Sequence, residues 1–187
     1  MPLIGLTGEN GAGKTSLARV LAPRYVRLGF ADPIRAAVAA AAGEPVERVF
    51  SHPIKDTPHP QLPGGTTPRA LAISWAEAAR RDFGDRCWVA ALAARAVLHG
   101  PCVVIDDLRF RVELEWVREN RGFVVSLGQP PKELPLGEIA LVAPRCPAES
   151  EARRSWLVET ATQVLDLASR FPPPPWWLRA QEENQQP

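Results

Sequence analysis

One segment of eight residues constrains the fold of this chain more than any other feature. Residues 8–15 read GENGAGKT, which matches the pattern G-x-x-x-x-G-K-[ST] at every fixed position, and they follow directly on an apolar run at residues 2–7. Glycines in such a loop let successive backbone N–H groups turn inward toward a phosphate, and the helix that follows adds partial positive charge at its N-terminus. The segment therefore predicts a strand, a phosphate-binding loop and a helix, in that order.

The polar residues of this loop have defined chemical roles in such a site. The Lys14 ammonium group reaches the β- and γ-phosphates of a nucleotide, and the Thr15 hydroxyl is a ligand for Mg²⁺. The sequence thus predicts ATP and Mg²⁺ as cofactors. The expected ATP-binding residues belong to the loop and to the first turn of the helix: Gly8, Asn10, Gly11, Ala12, Gly13, Lys14, Thr15 and Ser16.

The rest of the chain alternates between helical and strand-like segments. Asp32-Pro33 and Thr67-Pro68 each offer an N-cap followed by a first-turn proline. Strands that alternate with helices favour an α/β fold with a parallel central sheet of about five strands and helices on both faces. We expect helices at 14–22, 33–42, 67–83, 85–99 and 111–121, and strands at 25–30, 102–105, 123–127 and 139–142.

Two segments lack the pattern of a regular element. Residues 51–68 contain seven prolines and glycines, and we expect a lid-like loop there. Residues 172–187 begin with four prolines and two tryptophans, which favours an extended tail. The expected organisation is one domain over residues 1–171, followed by the tail at 172–187.

Length, charge and cysteine content exclude several classes of protein. The chain has 187 residues and a net charge of +1, which argues against a protein that binds duplex DNA mainly through its phosphates. No apolar run approaches the roughly 20 residues that cross a bilayer. The N-terminus lacks a leader pattern, and three cysteines form neither a paired set nor a metal motif. We therefore expect a cytoplasmic protein in a reducing compartment.

Two carboxylates follow the strand at residues 102–105. Asp106 and Asp107 occupy the place of the acidic element that holds Mg²⁺ beside a nucleotide. Adjacent side chains on a strand point to opposite faces, so we expect one of the two to face the nucleotide. Arg109 follows them at the carboxyl edge of the sheet, where ligands of such folds bind, and it is a candidate ligand for phosphate.

Asp32 and two arginines are candidates for contact with a second substrate. Asp32 lies 18 residues after Lys14 and is either a helix cap or an acid that contacts the acceptor. It would act as a base if the acceptor were a hydroxyl group, whereas a phosphate acceptor is already ionised and needs only positive charge and alignment. Arg69 and Arg80 are eleven residues apart on one predicted helix, which places them on the same face.

Taken in order, these segments resemble the deoxynucleoside monophosphate kinases of bacteriophages and, more distantly, dephospho-coenzyme A kinase. The resemblance covers residues 3–171. It implies transfer of the γ-phosphate of ATP to a deoxynucleoside 5′-monophosphate by a P-loop kinase fold. It rests on the loop at 8–15 and on Phe30–Arg35, Thr67–Arg69, Glu77–Arg80, Trp88-Val89, Ile105–Phe110 with Glu113, and Glu149–Glu151.

The resemblance also implies roles for single residues. Asp107 would hold Mg²⁺ together with Thr15, and a late strand at residues 156–158 would precede a last helix at about 160–171. Together with the residues argued above, the candidate catalytic residues are Lys14, Asp32 and Arg109. The candidate substrate ligands are Asp32, Arg35, Lys55, Arg69, Glu77, Arg80 and Arg109, of which the resemblance implies Arg69, Arg80 and Arg109.

The sequence departs from the family at positions that bear on base recognition. Residues 70–73 lack an expected glutamine, and Ala148 stands in place of an expected histidine, which permits a modified or unusual base. Two alternatives stay open. One is a P-loop kinase that phosphorylates a hydroxyl of a coenzyme precursor or of a hydroxymethylated base in DNA, with Asp32 as the base. The other is a non-catalytic ATP-binding regulatory module. The partners expected are nucleotides, and a homodimer is left open.

Overall fold

A computed structural model describes residues 2–129, 132, 134, 137, 139–176 and 178. The chain divides into two compact units. The first, here called the sheet unit, comprises Met1–Gly29 and Leu92–Pro187, and the second, the helical unit, comprises Phe30–Ala91. The elements are β1 (Ile4–Gly8), α1 (Lys14–Leu21), β2 (Val26–Leu28), α2 (Asp32–Ala42), α3 (Val46–Val49), α4 (Pro68–Phe83), α5 (Cys87–His99), β3 (Val103–Ile105), α6 (Arg111–Glu119), β4 (Phe123–Leu127), β5 (Leu141–Ala143) and α7 (Ser150–Ala168).

The sheet unit is built on five parallel strands in the order β2-β3-β1-β4-β5. β1 lies at the centre, where Gly5 pairs with Ile105 on one side and with Val124 on the other. The central strands are almost wholly apolar because both faces of a parallel sheet are covered. The predicted α/β fold with a parallel sheet of about five strands is confirmed.

Alternate residues of β1 face different helices. Ile4 and Leu6 join a buried cluster with Leu17 of α1 and Trp156 of α7. Gly5 faces the other way, where an added Cβ atom would lie 2.8 Å from Leu108 and 3.5 Å from Val117 of α6. Helices therefore cover both faces of the sheet, as expected.

The predicted strand at residues 156–158 is wrong. α7 is one continuous helix from Ser150 to Ala168. Its buried positions include Trp156, Thr160 and Val164, which recur every fourth residue, whereas the side chain of Val158 is 66% exposed. That spacing is helical, since a strand would bury alternate residues. The fifth strand is instead β5, at Leu141–Ala143, close to the weakly patterned segment at 139–142.

The start of α2 also differs from the expectation. The N-cap of α2 is Ala31, whose side chain makes no capping hydrogen bond, and Asp32 is the first helical residue. The prediction of Asp32 as the cap is therefore wrong, although its carboxylate still lies in the first turn, where the helix dipole favours negative charge. The predicted stop at Gly43 is confirmed, since this residue adopts a left-handed φ of 69°.

The start of α4 follows its local sequence. The Thr67 hydroxyl accepts a hydrogen bond of 3.1 Å from the backbone N–H of Ala70, and Pro68 occupies the first turn. α4 then ends at Phe83, as predicted. α5 begins at Cys87, two residues after Asp85, and ends at His99, so its start is later than expected.

The helical unit has its own core. Ile34 and Val38 of α2, Val49 of α3 and Ala76 of α4 pack with Leu62 from the segment at 51–68. That segment contains two short 3₁₀ turns, at Ile54–Asp56 and Pro63–Gly65, and otherwise lacks regular structure. The buried Leu62 attaches the segment to the helices of its own unit, and its predicted lid role stays a prediction.

The predicted tail lies partly outside the described residues, which end with 176 and 178. Residues 175, 176 and 178 are helical, so the extended geometry expected from the four prolines does not continue past Pro174. Over the described part of the chain, none of the helices combines the length and the apolar character needed to cross a membrane.

Candidate active site

The loop at residues 8–15 joins β1 to α1, as the pattern predicts. Gly8 and Gly13 have φ angles of +121° and +101°, which side chains of L-residues rarely adopt. A Cβ atom at Gly13 would lie 2.5 Å from the Cβ atom of Cys146, and one at Gly8 would overlap the carbonyl oxygen of Leu127. Glycine is therefore required at both positions, where the loop lies against β4 and the β5–α7 connection.

Lys14 lies within the curve of this loop. Its Nζ donates hydrogen bonds of 2.7 Å to the carbonyl oxygens of Gly8 and Glu9. Burial lowers the pKa of Lys14 from its ordinary value, and the neighbouring guanidinium of Arg109 lowers it further, while the carboxylates of Asp106, Asp107 and Glu9 oppose that effect. The loop thus holds a partly buried positive charge at the position where the motif predicts phosphate.

Thr15 contacts the acidic pair directly. Its hydroxyl donates a hydrogen bond of 2.8 Å to Oδ2 of Asp106, whose side chain is 2% exposed. The prediction from the sequence was that Asp107, not Asp106, is the carboxylate that holds Mg²⁺ together with Thr15. β3 ends at Ile105, so strand alternation no longer separates the two carboxylates, and both are buried and lie near Lys14. The metal role of Asp107 stays a prediction, while the contact to Thr15 belongs to Asp106.

The oxygen atoms at this contact suit Mg²⁺. A hydroxyl and a carboxylate oxygen are hard donors, and Mg²⁺ in nucleotide sites typically takes one or two carboxylates and completes its shell with phosphates and water. In the portion of the chain that the structure describes, no group of three or more His, Cys, Asp or Glu side chains could hold a metal by itself. Thr15 and Asp106 therefore fit a cation that arrives with a nucleotide.

Arg109 lies beside the loop, as the sequence predicts. Its Nη2 is 3.5 Å from Oδ1 of Asn10, and its side chain is exposed. The buried Glu113 of α6 fixes the backbone here, because its Oε2 accepts hydrogen bonds of 2.7 Å from the N–H of Arg109 and 3.0 Å from that of Phe110. The loop and the β3–α6 connection together place two cations, Lys14 and Arg109, close to one another.

The connection between β5 and α7 contacts the loop, which the sequence did not predict. The N–H of Cys146 donates a hydrogen bond of 3.1 Å to the carbonyl oxygen of Ala12, and Nη1 of Arg145 lies 3.7 Å from the Glu9 carboxylate. A cleft of about 590 Å³ is lined by Gly11, Arg145, Cys146, Pro147, Ala148 and Arg153. Ala148, where the family pattern predicted histidine, lines this cleft. The local pattern of residues 139–149 gave no signal of contact with the loop.

Arg27 was also missed. It lies on β2, and its Nη2 is 2.9 Å from Oδ1 of Asp106. The signal that could have identified it is a charged side chain placed between the buried Tyr25 and Leu28.

The expected substrate ligands lie in the helical unit, apart from Arg109. Asp32 and Arg35 form an ion pair of 3.5 Å across the first turn of α2.

Nε of Arg69 is 2.8 Å from Oδ1 of Asp56, and this ion pair joins α4 to the first 3₁₀ turn. Lys55 lies on that turn and is half-buried. On α4, Glu77 is exposed and Arg80 is half-buried. The site residues thus form two groups, one in each unit.

No protein-family model matches the chain. A protein of Acanthamoeba polyphaga mimivirus named "Putative deoxynucleotide monophosphate kinase" is 29% identical over 150 residues, which cover 70% of this chain and 75% of the viral protein. The viral relative supports a phosphotransferase. Its source, a virus of amoebae, does not single out the bacteriophage enzymes among the kinases.

A crystal structure of a sugar kinase from Janibacter sp. HTCC2649 also aligns, over 90% of this chain and 96% of that one, with 16% identity and a TM-score of 0.39. A TM-score of that size carries no argument for fold or function. The fold assignment above therefore rests on the strand order and pairing of the sheet itself.

Proposed function

We propose that this protein is an ATP-dependent kinase that transfers the γ-phosphate of ATP to a deoxynucleoside 5′-monophosphate. The observation that carries the proposal is the group formed by Lys14, Thr15 and Asp106 around a glycine loop at the start of α1. The acceptor class is supported by the name of the viral relative and by the order of the motifs along the chain.

The donor nucleotide is assigned to the sheet unit. The backbone N–H groups of residues 8–16 and the Lys14 ammonium group bind its phosphates, for which Lys14 exchanges its present bonds to the Gly8 and Glu9 carbonyls. Thr15 and Asp106 would hold Mg²⁺, which would supply positive charge to the nucleotide phosphates. Arg109 lies near enough to add positive charge at the transferred group, where charge is spread over the equatorial oxygens.

The acceptor is assigned to residues of the helical unit. Arg69 binds the acceptor phosphate in exchange for Asp56, and Arg35, Lys55 and Arg80 supply further positive charge. A phosphate acceptor is already ionised, so no group needs to remove a proton from it. Asp32 and Glu77 are therefore assigned to binding and orientation of the nucleotide.

The test is a panel of acceptors incubated with ATP and Mg²⁺. We expect at least one deoxynucleoside monophosphate, base-modified ones included, to give a diphosphate together with an equal amount of ADP, measured by chromatography. Lys14→Met removes the charge that meets the phosphates, and turnover should fall by about 10²–10³-fold. Lys132→Met is the matched control, since Lys132 is exposed, and it should leave turnover unchanged.

Two further arms address the hydroxyl alternative: a coenzyme precursor with a free hydroxyl, and DNA that carries a hydroxymethylated base. Phosphate transfer to either of them, without diphosphate from any monophosphate, would overturn the proposal in favour of a hydroxyl kinase. ATP binding without transfer to any acceptor would favour the regulatory module.

A further inference from the structure

The side chain of Arg27 lies against Asp106, the carboxylate that the proposed function assigns to Mg²⁺. Its Nη2 is 2.9 Å from Oδ1 of Asp106. The Arg27 side chain is 32% exposed, whereas that of Asp106 is 2% exposed. An ion pair with one buried partner is screened less by solvent than a surface pair, so removal of the arginine leaves a costly buried charge.

The register of the sheet explains how this arginine reaches the site. Arg27 of β2 pairs with Val104 of β3, and Asp106 follows Val104 by two residues. Paired residues of adjacent strands share one face of the sheet, so Arg27 and Val104 point the same way. Val104 belongs to the buried cluster that includes Leu17 and Leu21 of α1, so this is the face that α1 covers. On this face the Arg27 guanidinium contacts Asp106, which lies just past the end of β3 and contacts Thr15 in the first turn of α1.

The two oxygens of Asp106 have different partners. Oδ1 meets Arg27, and Oδ2 accepts the hydrogen bond of 2.8 Å from Thr15. The contact of Oδ1 with Arg27 is an ion pair, since Oδ1 has no hydrogen-bond partner among the described residues. Together with the hydrogen bond at Oδ2, this electrostatic attraction restricts rotation of the carboxylate about its Cβ–Cγ bond. Removal of a group that orients a metal ligand in this way typically lowers metal affinity by about 10–100-fold.

We propose that Arg27 is a positioning residue for the Mg²⁺–nucleotide complex, because it holds Oδ1 of Asp106 and thereby fixes Oδ2 beside the Thr15 hydroxyl. The inference rests on the proposed function, since it requires that Thr15 and Asp106 meet a nucleotide-bound cation. It assigns to the edge strand β2 a contribution to the active site that the sequence pattern did not predict.

The test measures nucleotide affinity with and without the cation. The dissociation constant of a fluorescent ADP analogue is determined for the full chain in Mg²⁺ and again in EDTA, and the ratio gives the gain in affinity due to Mg²⁺. Arg27→Met should reduce this ratio by about 10–100-fold while the affinity in EDTA stays unchanged. Arg27→Lys, which keeps the charge, should recover part of the ratio. Arg19→Met on the exposed side of α1 is the matched control and should keep the parent ratio.

Each other outcome has a defined meaning. If Arg27→Met keeps the affinity ratio of the parent protein, the inference is overturned. It is also overturned if nucleotide affinity falls equally in Mg²⁺ and in EDTA, because a purely structural role would lower both affinities. If Arg27→Met does not fold, Arg27→Gln replaces it, and an unchanged ratio in that variant overturns the inference as well. A parent protein that binds no nucleotide even with Mg²⁺ overturns the proposed function first, which separates that failure from a failure of Arg27 alone.

Discussion

At the residue scale, the charge of Lys14 depends on the groups around it. The chain has three lysines, Lys14, Lys55 and Lys132, so each can be followed separately by NMR after labelling of the lysine Cε. Burial, and then Arg109, lower the pKa of Lys14 below 10.5. We expect Lys14 to lose its proton at a lower pH than an ordinary lysine does.

The lowered pKa of Lys14 determines how ATP affinity and the free energy of unfolding change with pH. ATP affinity should fall on the alkaline side as soon as Lys14 loses its charge, earlier than an ordinary lysine would allow. A lysine with a lowered pKa costs stability below its folded pKa, and this cost is relieved as pH rises from there toward 10.5.

Substitution of Arg109 tests whether its charge lowers the pKa of Lys14. Arg109→Gln should raise the pKa of Lys14, because it removes a like charge, whereas Arg111→Gln, at an arginine whose side chain is 71% exposed, should not. An unchanged Lys14 titration in Arg109→Gln would contradict the assigned cause.

At the scale of elements, α7 supports the phosphate-binding loop. Trp156 is 8% exposed, and its Nε1 donates a hydrogen bond of 3.0 Å to the carbonyl oxygen of Pro144. A Cβ atom at Gly13 would lie 3.2 Å from the Trp156 ring, so the indole forms part of the surface on which the loop rests. The helix thus links the β5–α7 connection to the loop.

Truncation of this side chain should weaken both the fold and the site. Trp156→Ala should lower the free energy of unfolding by about 3–5 kcal/mol, since it removes a large buried side chain, and it should weaken nucleotide binding. Val158→Ala on the same helix is the matched control: Val158 is 66% exposed, and the change should stay within about 0.5 kcal/mol. Urea unfolding measures the free energy of unfolding of both variants. A large loss in Val158→Ala would argue for the buried strand at 156–158 that the resemblance implied.

At the scale of the whole molecule, the candidate ligands are divided between two units. The residues proposed to bind the donor belong to the sheet unit, and the proposed acceptor ligands other than Arg109 belong to the helical unit. The net charge of +1 is in keeping with a small-molecule enzyme, in which a few cations are gathered at the site and balanced elsewhere.

Hydrogen exchange on the full chain tests this division, because bound ligands slow the opening of the segments they contact. A non-hydrolysable ATP analogue with Mg²⁺ should protect residues 8–21 and 144–149. A deoxynucleoside monophosphate alone should protect residues 51–70. In Lys14→Met the protection by the ATP analogue should weaken, and the protection by the monophosphate should remain. Protection by the monophosphate confined to the sheet unit would contradict the assignment of the acceptor ligands.

The parts of the fold that the sequence predicted depend on neighbours along the chain. The glycine loop, the Thr67-Pro68 helix start and the Gly43 stop each follow from the conformational preferences of a few adjacent residues. The alternation of strands and helices was sufficient to predict the parallel sheet. The prediction of a strand at 156–158 is wrong because it follows the resemblance, whereas the periodicity of residues 149–170 by itself allows one helix, as α7 shows.

The sequence by itself determined that this protein has a glycine-rich loop between a strand and a helix of an α/β fold, with acidic residues at the end of a later strand. Only the tertiary structure decided which residues meet there. Thr15 and Asp106 are 91 positions apart, and Arg27 and Arg145 reach the site from an edge strand and from a connection that no local pattern linked to the loop. Such contacts depend on strand order and register, which arise from packing of the whole sheet and are not encoded in the preferences of any short segment.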